Sequence, residues 1–217
     1  MSKHYQKIQS VFYRDPENNF KTLIEGEYSI REFEQLANST WIGTEKIHGS
    51  NTTVMFDGET VTFGGKSDNS QIHAGLISYL KEKFTKENMS RVFDYDMDDG
   101  LFDVQLYGEG FGAGIQKGGG QYREGQEFIL FDVRVDEWWL KRSDVVEVAK
   151  ALNIPVVPVV CVGTLRDIIE FVRDGFFSRV ADDETLLAEG IVAVPEVQLF
   201  CRNGDRVITK VKYRDFV

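Results

Sequence analysis

The sequence predicts an α+β fold of mostly antiparallel sheets flanked by a few helices. Three observations predict it. Short apolar runs of strand length recur along the whole chain, and turn pairs such as Asp57-Gly58 and Asn203-Gly204 separate neighbouring runs. Helix-spaced segments are scattered among them, without the regular β-α-β alternation of a doubly wound sheet. The 217 residues suffice for one large domain or two small ones and for a sizeable core, and 42% apolar with 28% charged residues is ordinary globular composition. No apolar run approaches the roughly 18 residues of a membrane span. The start, Met1-Ser2-Lys3-His4, has no signal-peptide pattern, so a cytoplasmic protein is expected.

In order, residues 1–40 mix short apolar runs with turn residues and suggest a few short strands and a helical turn near Ile30–Leu36. Trp41 to Phe63 reads as three strands, the last two joined by Asp57-Gly58. Gly64-Gly65-Lys66-Ser67-Asp68-Asn69 is a loop, followed by a helix from about His73 to Lys86 with Leu76, Leu80 and Phe84 at helical spacing. Leu101–Leu106 is a strand running into the glycine-rich Tyr107–Gly112, and Gly114–Gly120 is too rich in glycine for a regular element. Glu127–Val135 is an apolar strand. Ser143 opens a helix to about Leu152, Pro155–Val162 reads as a buried strand, and Thr164 caps a helix through about Arg173. Gly190–Val194 and Val207–Tyr213 are the last strands. Asp94–Asp99 and Asp182–Glu184 are solvated acidic stretches, and Cys161 and Cys201, without metal-ligand spacing, read as reduced thiols.

The stretch Thr44-Glu45-Lys46-Ile47-His48-Gly49-Ser50-Asn51 organises the chemistry. Lys46 falls at the junction between two predicted strands, where Gly49 permits a turn that residues with a Cβ resist. An amine partly withdrawn from water there gives up its proton more readily and can act as a nucleophile. Other charged residues also stand at strand ends or in glycine-rich turns: Lys66, Glu109 after Gly108, and Glu189 before Gly190. Lys210 and Lys212 alternate in the last strand and so share a face, where they repel unless an anion such as a phosphate lies between them. Each charge alone reads as a solvated edge residue. Together, lysines to neutralise phosphate oxygens and carboxylates to hold magnesium or a ribose hydroxyl point to phosphoryl or nucleotidyl transfer. There is no Gly-x-x-x-x-Gly-Lys-Ser/Thr loop, which argues against a P-loop NTPase. The formal net charge of −10 argues against holding nucleic acid by charge alone, though not against a local basic face.

Lys46-Ile47-His48-Gly49 resembles the first motif of the covalent nucleotidyltransferases, which include DNA ligases, RNA ligases and mRNA capping guanylyltransferases. With His48 in place of the usual aspartate, Glu45–Asn51 is most similar to the RNA ligase 2 type. The later motifs follow in order: Lys66-Ser67-Asp68-Asn69, Tyr107-Gly108-Glu109-Gly110, Phe128–Val133, Glu189-Gly190-Ile191-Val192 and Lys210-Val211-Lys212-Tyr213. The resemblance covers about residues 40–216. It implies the nucleotidyltransferase (ATP-grasp-like) domain of the ligase and capping-enzyme type, with residues 1–217 as a single adenylyltransferase domain and 1–40 as its N-terminal subregion.

The roles it implies are these. Lys46 attacks the α-phosphate of ATP and carries AMP as a phosphoramidate, while Lys210 and Lys212 stabilise that phosphate. Phe131 stacks on adenine, Glu109 binds the ribose, and Glu45, Ile47, His48, Gly49, Asn51, Lys66 and Glu189 complete the nucleotide site. Glu189 also helps hold Mg2+. AMP then moves to an RNA 5′-phosphate, and a 3′-hydroxyl displaces it to seal the strand. The resemblance also implies a protein acting without a membrane, and a monomer is expected. Two departures stand out. Lys66 occupies a position where these ligases carry arginine, losing the planar bidentate fork. The sequence also stops just after Lys212-Tyr213, where such ligases continue into a helical domain or an OB-fold, so adenylylation of Lys46 is expected to be better supported than sealing. A GTP-dependent capping enzyme, a minimal DNA ligase and a ligase-like fold that only binds are the other readings.

Overall fold

The computed structural model describes residues 4–93 and 103–217. The acidic stretch Asp94–Asp99 and the first residues of the strand expected from Leu101 lie outside the described residues. In chain order the strands are β1 (Gln9–Ser10), β2 (Phe12–Arg14), β3 (Leu23–Tyr28), β4 (Trp41–Glu45), β5 (Ser50–Phe56), β6 (Val61–Gly65), β7 (Val104–Gly112), β8 (Gln126–Val135), β9 (Trp138–Trp139), β10 (Val159–Gly163), β11 (Gly190–Pro195) and β12 (Thr209–Lys212). The helices are α1 (Arg31–Gln35), α2 (Ala74–Lys83), α3 (Lys86–Val92), α4 (Gly119–Tyr122), α5 (Arg142–Leu152) and α6 (Leu165–Asp174). The α+β class with antiparallel sheets is as the sequence predicts. The chain forms two compact units, one of Met1–Tyr5, His48–Val157 and Ala181–Asp183, the other of Gln6–Ile47, Pro158–Val180 and Glu184–Val217.

The first unit is built on an antiparallel sheet in the order β6-β5-β7-β8-β9. Side chains alternate across it, so Val54 and Phe56, Val104 and Leu106, and Phe128 and Leu130 share one core with Leu76 and Leu80 of α2 and Val145, Ala149 and Leu152 of α5. The Asp57-Gly58 hairpin forms as expected: Gly58 has φ 90°, and Asp57 Oδ1 accepts the N–H groups of Glu59 and Thr60 at 2.9 and 2.6 Å. The single helix expected to Lys86 is two helices. His73 caps α2 through Nδ1, which accepts from the Gly75 N–H at 3.2 Å. Thr85 then starts α3, its hydroxyl accepting from the Asn88 N–H at 3.2 Å. Nor does Ser143 open α5: the cap is Lys141, and Ser143 Oγ donates to Asp144 Oδ1 at 3.0 Å.

The larger departure is β7. Tyr107–Gly112 continues the strand rather than leaving it, and Glu109 is therefore mid-strand, not in a turn. The glycines serve close packing. A Cβ on Gly108 would meet the Phe128 ring at 2.3 Å, and one on Gly110 would meet Leu76 Cδ2 at 2.2 Å.

The second unit carries a sheet in the order β1-β12-β11-β4-β10, antiparallel except for the β1–β12 pair. Helix α6 lies on it. Thr164 and Asp167 form a reciprocal capping box, as expected of Thr164, and Leu165, Ile168, Ile169 and Val172 pack with Trp41, Ile191, Ala193 and Val211. The strand expected over Pro155–Val162 is shifted and split, because Pro155 and Pro158 have no N–H to give a ladder. Residues 155–157 bond to Leu130 of β8 in the first unit. Strand β10 begins at Val159 and forms the edge of the second unit's sheet, with Val162 60% exposed rather than buried. Cys161 and Cys201 are free thiols, partly buried against this core.

Candidate active site

The strand order of the second unit gathers the charged residues. Strand β11 lies between β4 and β12, with Glu45 opposite Ile191 and Lys212 opposite Gly190. Lys46, one residue past β4, donates its N–H to the Gly190 carbonyl at 2.9 Å, and the Tyr213 N–H donates to the Glu189 carbonyl at 3.0 Å. Glu189, one residue before β11, thus stands between the two flanking strands, and each of its oxygens takes one ammonium. Lys46 Nζ donates to Oε2 at 2.6 Å, and Lys212 Nζ donates to Oε1 at 2.6 Å.

The Lys46, Lys212 and Glu189 side chains are only 21%, 13% and 13% exposed, so these are not screened surface pairs. Burial by itself pushes the Glu189 carboxyl up, but Lys46 and Lys212 outweigh it and hold the group below the usual glutamate value. Gly190 needs to be glycine: its φ is 147°, and a Cβ would lie 2.1 Å from the Val211 carbonyl oxygen. Lys210 alternates with Lys212 on β12 as expected, and neither is fully exposed. The Glu189 carboxylate supplies a negative charge beside Lys212.

Glu45 is 1% exposed. Its Oε1 accepts the Ser178 hydroxyl and its Oε2 the Arg179 N–H, the latter at 2.8 Å. Burial pushes this carboxyl up, against the opposing pull of Ser178 and Arg179. Ile47 is buried, and its carbonyl lies 3.5 Å from Lys46 Nζ.

In the first unit, β5 and β7 set Asn51 directly opposite Glu109, two candidate residues brought onto one face by register. Phe131 is the extra residue of a bulge in β8, between Leu130 opposite Gly108 and Asp132 opposite Tyr107. The Tyr5 ring meets Phe131 edge-on at 5.1 Å and Tyr107 at 5.0 Å, and its hydroxyl donates to Asp132 Oδ2. Lys66 is exposed in the turn after β6. His48 and Gly49 lead into β5, and the Gly49 carbonyl accepts from Gln116 Nε2 at 3.2 Å.

Gly49 is needed for close approach rather than for the positive φ its place in a turn suggested. A Cβ there would stand 2.2 Å from the Gly110 carbonyl oxygen and 2.8 Å from Glu109 Cγ. Gly49→Ala should therefore lower stability by about 1–3 kcal/mol, seen in denaturant unfolding, and displace Glu109. An unchanged midpoint would show that β5 and β7 can part without loss.

A sequence profile of the RNA ligase family matches residues 39–212. The chain belongs to the RNA ligase family. Its fold is similar to that of Naegleria gruberi RNA ligase in several solved structures. An apo mutant gives a TM-score of 0.67 at 16% identity, covering 100% of this chain and 57% of that one. A mutant with AMP and Mn gives 0.66 at 16%, covering 98% and 56%, and the enzyme with PPi gives 0.66 at 17%, covering 98% and 56%. At that identity the likeness is one of fold, and this chain spans little more than half the length of those proteins.

For this member of the RNA ligase family, sequence reasoning missed the partners of the motif residues. Ser178 and Arg179 stand more than 130 positions from Glu45, and Tyr5 stands 127 from Asp132. Neither segment has a local pattern that signals such a contact.

Proposed function

We propose that this RNA ligase family chain is the adenylyltransferase part of an ATP-dependent RNA ligase. The observation that carries the reading is the bridge in which Glu189 joins Lys46 to Lys212, within a chain whose residues 39–212 match the family. Lys46 Nζ forms a bond to the α-phosphorus of ATP while the bond from that phosphorus to the bridging oxygen of the β-phosphate breaks, and pyrophosphate leaves. The ammonium first has to lose a proton, and Glu189 Oε2, at 2.6 Å, is the acceptor the geometry offers. Lys210 and Lys212 offset the charge that develops on the α-phosphate. Glu109 takes the ribose hydroxyls beside Asn51, and Phe131, turned by its bulge, stacks on the base. We assign His48, Gly49 and Lys66 to nucleotide binding as well, with the buried Glu45 and Ile47 supporting Lys46 from beneath.

The residues also suit Mg2+. Among the described residues no three His, Cys, Asp or Glu side chains cluster as a metal cage. Magnesium, though, commonly uses one or two carboxylates with phosphate oxygens and water completing its shell. Glu189 has lone pairs left after its two lysines, so it is the residue that would hold the ion. When bound, Mg2+ neutralises the triphosphate. The second substrate is RNA with a 5′-phosphate and a 3′-hydroxyl, and we propose a cytoplasmic monomer. Among the described residues no helix is long and apolar enough to cross a membrane.

Incubation with labelled ATP or labelled GTP and Mg2+ tests the reading. Acid-labile label from ATP alone is expected. Label from GTP instead would indicate a capping-type enzyme, and no covalent label from either would leave only a ligase-like binding fold.

A further inference from the structure

One buried contact in the second unit joins a motif residue to a segment outside the motifs. Glu45, the residue before Lys46, accepts the Ser178 hydroxyl and the Arg179 N–H, and Ser178 is itself 9% exposed. Ser178 stands on the rising arm of a hairpin whose descending arm ends at Ala188, directly before Glu189. The arms are bonded to each other: the Ser178 N–H donates to the Leu186 carbonyl at 2.8 Å, and the Ala188 N–H to the Phe176 carbonyl at 2.9 Å. Phe177 pairs with Leu187 between them. Beyond Ala188 the path returns to its start, because Glu189 grips Lys46 Nζ and the Gly190 carbonyl accepts the Lys46 N–H. Glu45, Ser178, the hairpin arms, Glu189 and Lys46 thus form a closed ring of contacts.

We propose that Ser178 is a positioning residue for adenylylation: through Glu45 it ties the 176–188 hairpin to the end of β4 and so fixes Glu189 against Lys46. This rests on the reading of Lys46 as the nucleophile. Two features support it. A carboxylate as buried as Glu45 retains its charge only with donors at hand, and burial already pushes that carboxyl up, so each donor matters. A hydroxyl on a carboxylate is also a directional, charge-assisted tie, which a packing contact of the same size would not be. Ser178 bonds to Glu45, the residue before Lys46, and its effect on Lys46 and Glu189 is on their placement.

The experiment measures single-turnover formation of lysyl-AMP against ATP concentration, for the wild type, Ser178→Ala and Ser178→Thr, with a thermal melt for each. Ser178→Ala should lower the rate at saturating ATP by about tenfold, while the half-saturating ATP concentration stays within about twofold. Ser178→Thr, which keeps the hydroxyl, should recover most of the rate, and all three should melt as cooperative folded proteins. An alanine variant as fast as the wild type overturns the proposal. So does a loss confined to ATP affinity, or a threonine variant as slow as alanine. Absence of lysyl-AMP in the wild type itself would instead overturn the adenylyltransferase reading, and this inference with it.

Discussion

Lys46→Ala should form no detectable covalent AMP adduct with ATP and Mg2+, a loss of at least about 10³-fold, while the protein remains folded. The reasoning is local. Alanine removes the nitrogen that would bond to phosphorus, and no other lysine of the motifs has its place, since Lys210 and Lys212 stand on β12, across β11 from the strand that ends at Lys46. The cost to the fold stays below about 3 kcal/mol, because Glu189 keeps Lys212 as a partner and is not left as an uncompensated buried charge. Retention of label by this variant would mean that another residue is the nucleophile. Loss of label together with loss of the unfolding transition would mean that Lys46 is chiefly structural.

Glu189→Ala should have an effect nearly as large for a different reason. It removes the single carboxylate that joins Lys46 to Lys212 and leaves their ammonium groups, each only about a fifth exposed or less, without that counter-charge. Adenylylation should fall by about 10²–10³-fold, and stability by about 2–4 kcal/mol. The magnesium concentration needed for half the maximal rate should also rise, because Glu189 is the residue that would hold the ion. Glu189→Gln keeps the shape and loses the charge, so it should lose less stability than alanine and still show the altered magnesium titration. A titration identical to the wild type would take Glu189 out of the cation site.

The motif residues were legible because their signals are local. A lysine three positions before a glycine between two strand patterns, a glutamate ahead of an apolar run and two lysines two positions apart can each be read within a few residues. The mutual placement of Lys46, Glu189 and Lys212 was not legible, since it depends on β11 lying between β4 and β12. The strand expectations failed where glycine and proline carry two meanings. Gly108 and Gly110 look like turn residues, yet they lie in mid-strand because Phe128 and Leu76 fill the space a Cβ would need. Pro155 and Pro158 sit in an apolar run that reads as one strand, and their missing N–H groups divide it between two units. The Ser178–Glu45 contact had no precursor at all in the local pattern, because a serine in a loop is compatible with almost any role.

The most direct test of the central claim is peptide-level mass spectrometry of the protein after incubation with ATP and Mg2+. The account predicts AMP on the peptide containing Lys46, attached through Nζ and removed by acid. An unmodified Lys46 peptide, or AMP on any other residue, would contradict it.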